Sequence, residues 1–258
     1  NNAHTGTVAV GSNALGALTT GANNTAVGYL ALSSNATGTG NVALGTNALK
    51  GGGNCSHNIA VGASSLFSVT TGQQNIVVGG AAGYALTNSS YNVLIGHGAG
   101  NVIANNQTGT DGTTAVGNMA LSLLTSGIKN TALGYNSASA LLQGNRNTAL
   151  GYQALDALAG DDGNNAGSDN IAIGVDAMGS LNAGVHSDAR ANSNIAIGNS
   201  AFLAGSMADS GASVSQGNIA IGHEAVFSTG TNPHVGTTAV GFRALKALTS
   251  SPGCTAVG

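Results

Sequence analysis

Polar, small and large apolar residues recur along this chain in one fixed order. An asparagine is followed by Thr, Ile or Val, then alanine, then Val, Ile or Leu, then glycine, as in Asn24-Thr25-Ala26-Val27-Gly28. Numbered 1 to 5, this cluster occurs fourteen times with small substitutions. It closes at Gly11, Gly28, Gly45, Gly62, Gly79, Gly96, Gly117, Gly134, Gly151, Gly174, Gly198, Gly222, Gly241 and Gly258. The first six of these glycines are 17 residues apart. Position 8 is then Ala or Ser, and position 9 is mostly large and apolar (Leu15, Leu32, Leu49, Leu66). A short period held through a whole chain is that of a solenoid, in which one repeat is one coil. The repeat is too short for a helix with two connections and fits two strands of about five residues joined by tight turns. The predicted fold is all-β: a parallel β-solenoid, or β-roll, of about fourteen coils with two strands per coil.

Two exceptions indicate which positions face inward. Where position 3 grows to Val77 or Leu94, position 9 shrinks to Gly83 or Gly100. Close-packed interiors conserve volume, so positions 3 and 9 are expected to meet inside the coil. Strand side chains alternate, which sends positions 2 and 4 outward. The position 4 column comprises Val27, Leu44, Val61, Val78, Ile95, Ile173, Ile197 and Ile221. A strand that is apolar on both faces is buried on both faces. Another copy of the chain is therefore expected to cover this column, as the interchain core of a homotrimer. Position 1 shares the parity of position 3, so the asparagines should turn inward and stack as an amide ladder. Glycine at position 5 implies a backbone conformation closed to other residues, or a corner too tight for Cβ.

Composition narrows the function. Only 6% of residues are charged, against roughly 25% in ordinary proteins, and the net charge is −3. With no basic run, nucleic acid is not an expected partner. No apolar stretch approaches the ~20 residues that span a bilayer, so membrane insertion is not expected either. The chain begins at Asn1 and stops on a motif glycine, and it reads as a segment of something longer. Cys55 and Cys254 would stand about 55–60 Å apart at one strand spacing per coil, which rules out a bridge within one chain.

The solenoid reads as one domain over 1–258 with two halves. Residues 1–110 form regular coils and carry one charge, Lys50. Residues 111–258 hold all nine acidic residues, and every departure from the 17-residue interval lies beyond Gly96. Insertions in a solenoid bulge from one corner and are free to contact a receptor. Asp161, Asp162 and Asp169 lie on one such insertion but match no calcium loop, and the six histidines share no register. No metal or cofactor is expected. Scattered acids do not make the paired carboxylates of a polysaccharide-cleaving enzyme, and the mixed Thr, Ile and Val of position 2 do not make an ice-binding face. Sequons at Asn23, Asn35, Asn54, Asn88 and Asn106 would carry glycans if the source glycosylates, giving a glycan-coated filament as the alternative. Tyr29, Tyr135, Tyr152 and Phe242 share position 6, where Tyr135 and Tyr152 lie on adjacent coils.

Two family resemblances follow from these motifs. Asn-Thr-Ala-Val-Gly-Tyr-Leu-Ala-Leu at 24–32 and Asn-Thr-Ala-Leu-Gly-Tyr-Gln-Ala-Leu at 147–155 resemble repeats of phage tail-fibre-like proteins. Asn-Ile-Ala-Ile-Gly at 170–174, 194–198 and 218–222 resembles the head repeat of trimeric autotransporter adhesins. The resemblance implies a left-handed roll, three chains around one axis, and an extracellular place on a virion or cell surface. It implies a non-enzymatic fibre segment that holds surface- or receptor-binding loops, with a cell-surface glycan or receptor as the partner.

Overall fold

The computed structural model describes residues 5–103, 111–156, 167–179, 190–203, 214–227, 234–248 and 251–258. The described residues contain strands and turns and no helix. The chain divides into two compact units, Asn1–Ile128 and Lys129–Gly258.

In the first unit, positions 2 to 4 of each motif form a three-residue strand: β1 Val8–Val10, β2 Thr25–Val27, β3 Val42–Leu44, β4 Ile59–Val61, β5 Ile76–Val78, β6 Val93–Ile95 and β7 Thr114–Val116. They stack in parallel and in strict register, Val27 on Leu44 on Val61 on Val78 on Ile95. In the second unit the motif strands are β8 Thr131–Leu133, β9 Thr148–Leu150, β10 Ile171–Ile173, β12 Ile195–Ile197, β14 Ile219–Ile221, β16 Thr238–Val240 and β18 Thr255–Val257. A second sheet runs β11 Arg190–Asn192, β13 Val214–Gln216, β15 His234–Val235 and β17 Ser251–Pro252. The long coils keep register, since Ile171 pairs with Ile195 across a 24-residue step. The fold is a β-solenoid of stacked parallel coils with a repeat of about 17 residues.

The expectation of two strands per coil, each of about five residues, is corrected in detail. After the glycine the backbone alternates hand instead of extending. Positions 7 and 9 are left-handed in coil after coil, as in Leu30 (φ 56°) and Leu32 (φ 52°), or Ser64 (φ 57°) and Leu66 (φ 47°). Alternation directs the amides both ways. Position 7 donates to the preceding coil (Asn47 N to Tyr29 O, 2.8 Å) and position 9 to the following one (Leu49 N to Ser65 O, 2.8 Å). Coils are thus bonded to each other on this side without a β-ladder. Among the described residues a true second strand forms in the last four coils, of 24, 24, 19 and 17 residues, as with Val214-Ser215-Gln216. The Gly-rich approaches of the short coils (Thr37-Gly38-Thr39-Gly40) have little β preference.

The interior has five stacked columns. Position 3 alanines, position 8 alanines and serines, and the position 9 leucines are buried, as are the asparagines of position 1. Position 12 adds a column that the periodicity did not single out: Val69, Leu86, Ile103, Leu124 and Leu141 are all fully buried. The expected meeting of positions 3 and 9 holds. A Cβ built on Gly83 would lie 3.0 Å from Leu94 Cδ1, 3.3 Å from Leu66 Cδ2 and 3.8 Å from Val77 Cγ1.

The asparagine ladder is also present. Each Oδ1 accepts both the backbone N–H and the Nδ2 of the next rung, as when Asn75 N and Nδ2 donate to Asn58 Oδ1 at 3.0 and 2.9 Å. Each Nδ2 also donates to the carbonyl three residues before the next rung, Asn58 to Gly72 at 2.9 Å. Every amide group is satisfied in a buried site, where an unpaired one would be costly. The rungs are Asn24, Asn41, Asn58, Asn75 and Asn92 in one unit, and Asn130, Asn147, Asn170, Asn194 and Asn218 in the other. Position 5 glycines take φ of 122–143°. A Cβ there would meet the next coil's carbonyl, as at Gly62, where Gly79 O would be 2.6 Å away.

Candidate functional site

With the interior filled by its own columns, the outward side of each motif strand is left uncovered. The middle residue of a strand is buried and its neighbours are half-buried or exposed. Of the column expected to form an interchain core, Val27, Leu44, Val78, Ile95, Ile197 and Ile221 are each 36–37% exposed. Val61 and Ile173 are half-buried. Register sets Val27, Leu44, Val61, Val78 and Ile95 side by side in the first unit, and Ile173, Ile197 and Ile221 in the second. Ile59 and Ile76 of position 2 widen the stripe. Soluble monomers rarely expose a contiguous apolar patch of this extent.

Aromatic rings border the stripe. Tyr135 and Tyr152 stack with ring centroids 5.6 Å apart and planes 8° apart, and both remain about half exposed. His223 and Phe242 repeat the arrangement at 5.5 Å, with the Arg243 guanidinium 4.8 Å from the Phe242 ring centre. At position 10, on the other side of the coil, Lys50 lies over Phe67 (5.1 Å), which stacks on Tyr84 (4.8 Å).

The few charges pair along the coil stack. Arg146 grips Asp169 with two bonds, Nε to Oδ1 at 2.6 Å and Nη2 to Oδ2 at 2.8 Å. The hydrogen bond from Arg146 holds the Asp169 carboxyl below its ordinary pKa. Glu224 accepts from Lys246 Nζ (2.6 Å) and Arg243 Nε (2.7 Å), which lower its pKa in that order. Ser139 donates to Asp156. Asn145, Arg146, Ser168, Asp169, Asn192, Ser193 and Gln216 line an open polar trough of about 320 Å³. Among the described residues no three His, Cys, Asp or Glu side chains come together as a metal site. Asp161 and Asp162, considered for calcium, lie outside the described residues, and Asp169 is engaged by Arg146.

Two titratable groups are buried away from these pairs. Burial pushes the Cys55 thiol up to about 11, so it stays protonated and unreactive. The His234 ring is 1% exposed and stands edge-on to Phe202 at 6.1 Å. Neither ring nitrogen has a partner among the described residues, and burial lowers its pKa.

Of the sequon asparagines, Asn23, Asn54 and Asn88 are exposed, and Asn106 lies outside the described residues. Asn35 does not fit a glycan acceptor. It is fully buried, with Nδ2 donating to Gly38 O and Oδ1 accepting from Gly38 N. Sequence reasoning found the stripe but missed its second border, the residue just before position 1. The signal was a hypervariable site preceding an almost invariant asparagine.

Compared with protein-family models, with curated proteins and with solved structures, the chain matches none. Fold and face together define a class: a β-solenoid of stacked parallel coils that presents an apolar stripe.

Proposed function

We propose that this chain is a structural segment of an extracellular fibre, of the kind found in phage tail fibres and trimeric adhesins. Copies of it associate through the stripe, most simply three around one axis. One observation carries this reading. Outward position 4 is apolar in every motif, and position 2 in eight of the fourteen, although the interior is already complete. An inner core explains positions 3, 8, 9 and 12, and only a partner explains the rest. The insertions beyond Gly96 then serve as the decorated surface, displayed toward a receptor or glycan on a target cell. The role is mechanical and adhesive rather than catalytic.

Native mass spectrometry of the intact segment tests it, with three chains per particle expected. Val78→Asp would bring like charges together in a dry site, where burial and mutual repulsion both oppose ionisation. The expected result is loss of the assembly, whereas Ala81→Asp at position 7 leaves it intact. A folded, soluble monomer for the unmutated chain, with Val78 open to solvent, would overturn the reading.

A further inference from the structure

The stripe has two unlike edges. At one, the residue just before position 1 is left-handed in every described coil, with φ between 56° and 71°. At the other stands position 6, immediately after the glycine corner. In the coils of β8 and β9 the first edge carries Lys129 and Arg146, both exposed. The second edge of the same two coils carries the stacked pair Tyr135 and Tyr152. In the coil of β16, Gly236 stands at the first edge and the exposed Phe242 at the second. In these three coils a cation or a gap at the first edge accompanies an aromatic ring at the second.

A rule of this chain adds weight. Of its six basic residues, Lys50, Arg243 and Lys246 each sit over an aromatic ring within the chain. Lys129 is exposed, and Arg146, though its Nε and Nη2 are held by Asp169, keeps its side chain 53% exposed; two stacked rings stand at the far edge of their own coils. The open ends of that stack and its phenolic oxygens are groups that an ammonium or guanidinium binds.

We propose that these edges recognise each other between copies of this chain. Neighbours stand parallel and in register, with Lys129 and Arg146 of one copy against the Tyr135–Tyr152 stack of the next. This rests on the self-association reading and adds its polarity and register. Rotation about an axis along the solenoid carries the first edge of one copy to the second edge of its neighbour at the same coil height. Unlike edges that meet by rotation close a ring. An antiparallel pair would instead set each edge against itself.

The test is a disulfide trap in a Cys254→Ser background, where the remaining Cys55 is buried. Arg146→Cys and Tyr152→Cys are placed in one chain. The intervening extended residues separate them by roughly 13 Å, beyond the ~7 Å reach of a bridge within the chain. On mild oxidation the double variant is expected to run on a denaturing gel as a covalent species with the chain number of the native assembly. Each single variant alone is expected to stay a one-chain band. Lys129→Cys with Tyr135→Cys should behave alike. A one-to-one mixture of the two single variants, each keeping one native edge, should give cross-linked chains. Assembled particles that do not cross-link at either pair overturn the proposal and leave self-association standing. Dimers formed by a single variant overturn it in favour of like edges meeting. A monomeric native chain overturns both.

Discussion

A leucine placed at Gly83 tests how the coil interior is packed. The backbone is no obstacle, because Leu66 occupies the same register one coil earlier at φ 47°, close to the 56° of Gly83. The obstacle is space. The first added carbon would already lie 3.0 Å from Leu94 Cδ1, and leucine brings three more. Gly83→Ala displaces only mobile methyl groups and should cost about 1 kcal/mol, chiefly for the left-handed conformation. Gly83→Leu adds overpacking of about 1–3 kcal/mol to that. Leu94→Ala alone opens a cavity and should cost about 2–5 kcal/mol. Together they rebuild the arrangement of the regular coils, Ala at position 3 beside Leu at position 9. The double variant should therefore lose less than the larger single loss, an interaction of about 2 kcal/mol or more. Val77→Ala should rescue less, because Val77 Cγ1 is the farther neighbour at 3.8 Å. The readout is urea denaturation together with native-state exchange of the Gly83 amide, which donates to Ala99 O at 2.9 Å. Additive losses, within about 0.5 kcal/mol, would refute the idea that these columns share one volume.

Three further outcomes are expected. Asn58→Leu orphans Asn75 N and the Gly72 carbonyl and leaves Asn75 Nδ2 only its bond to Ser89 O, at about 1–3 kcal/mol for each orphaned group; Asn54→Ala on the surface should stay within about 0.5 kcal/mol. The denaturant midpoint separates them. Gly62→Ala places Cβ 2.6 Å from the Gly79 carbonyl and should cost about 2 kcal/mol or more, whereas at Gly217 nothing lies within 4 Å and only the left-handed conformation is strained. His234 excludes a proton in the folded state, so it contributes nothing to pH dependence above its ordinary value of about 6.5. As pH falls through that value the unfolded chain gains the proton first and stability drops, levelling off below the lowered folded-state pKa. His234→Leu should flatten the fall in thermal midpoint between about pH 7 and pH 5; an unchanged slope would contradict this.

How much was legible follows from what repeats. The inward columns recur in type as well as spacing, so Ala26 and Leu32, or Val77 with Gly83, announced their contact. Asn24 and its successors announced the ladder by parity alone. The exposed stripe followed from the same alternation. Position 12 stayed hidden because its occupants differ, Asn35 and Gly52 beside Val69 and Leu86. The second strand was misjudged because residues such as Leu30 and Leu32 carry β-like side chains on a backbone that alternates hand. Burial and stacking between coils override their propensity there. His234 could not be read as buried either, since its register elsewhere holds Gly38, Cys55, Gly72 or Ser89.

The ladder bears on why the stripe exists. Each five-rung run ends on a threonine, whose backbone N–H still donates to the last amide: Thr113 N to Asn92 Oδ1 at 3.0 Å and Thr237 N to Asn218 Oδ1 at 2.9 Å. Thr113 Oγ1 has no partner among the described residues, so the run of amides stops there. Between those ends, register is held by backbone groups and buried amides. It is held as well over the 24-residue steps as over the 17-residue ones, with Asn194 Nδ2 to Asn170 Oδ1 at 3.1 Å beside Asn41 Nδ2 to Asn24 Oδ1 at 3.0 Å. Nothing in that scheme involves the side chains of positions 2 and 4. A polar residue at those positions would leave every ladder bond and every buried column in place. Threonine at Thr25, Thr114, Thr131 and Thr148 shows that the strand accepts a hydroxyl at position 2. The fold alone therefore gives no reason for Val42, Ile59, Ile76 and Ile195 at position 2 to be apolar. The proposed self-association supplies one, since a second copy laid against the strands would cover them.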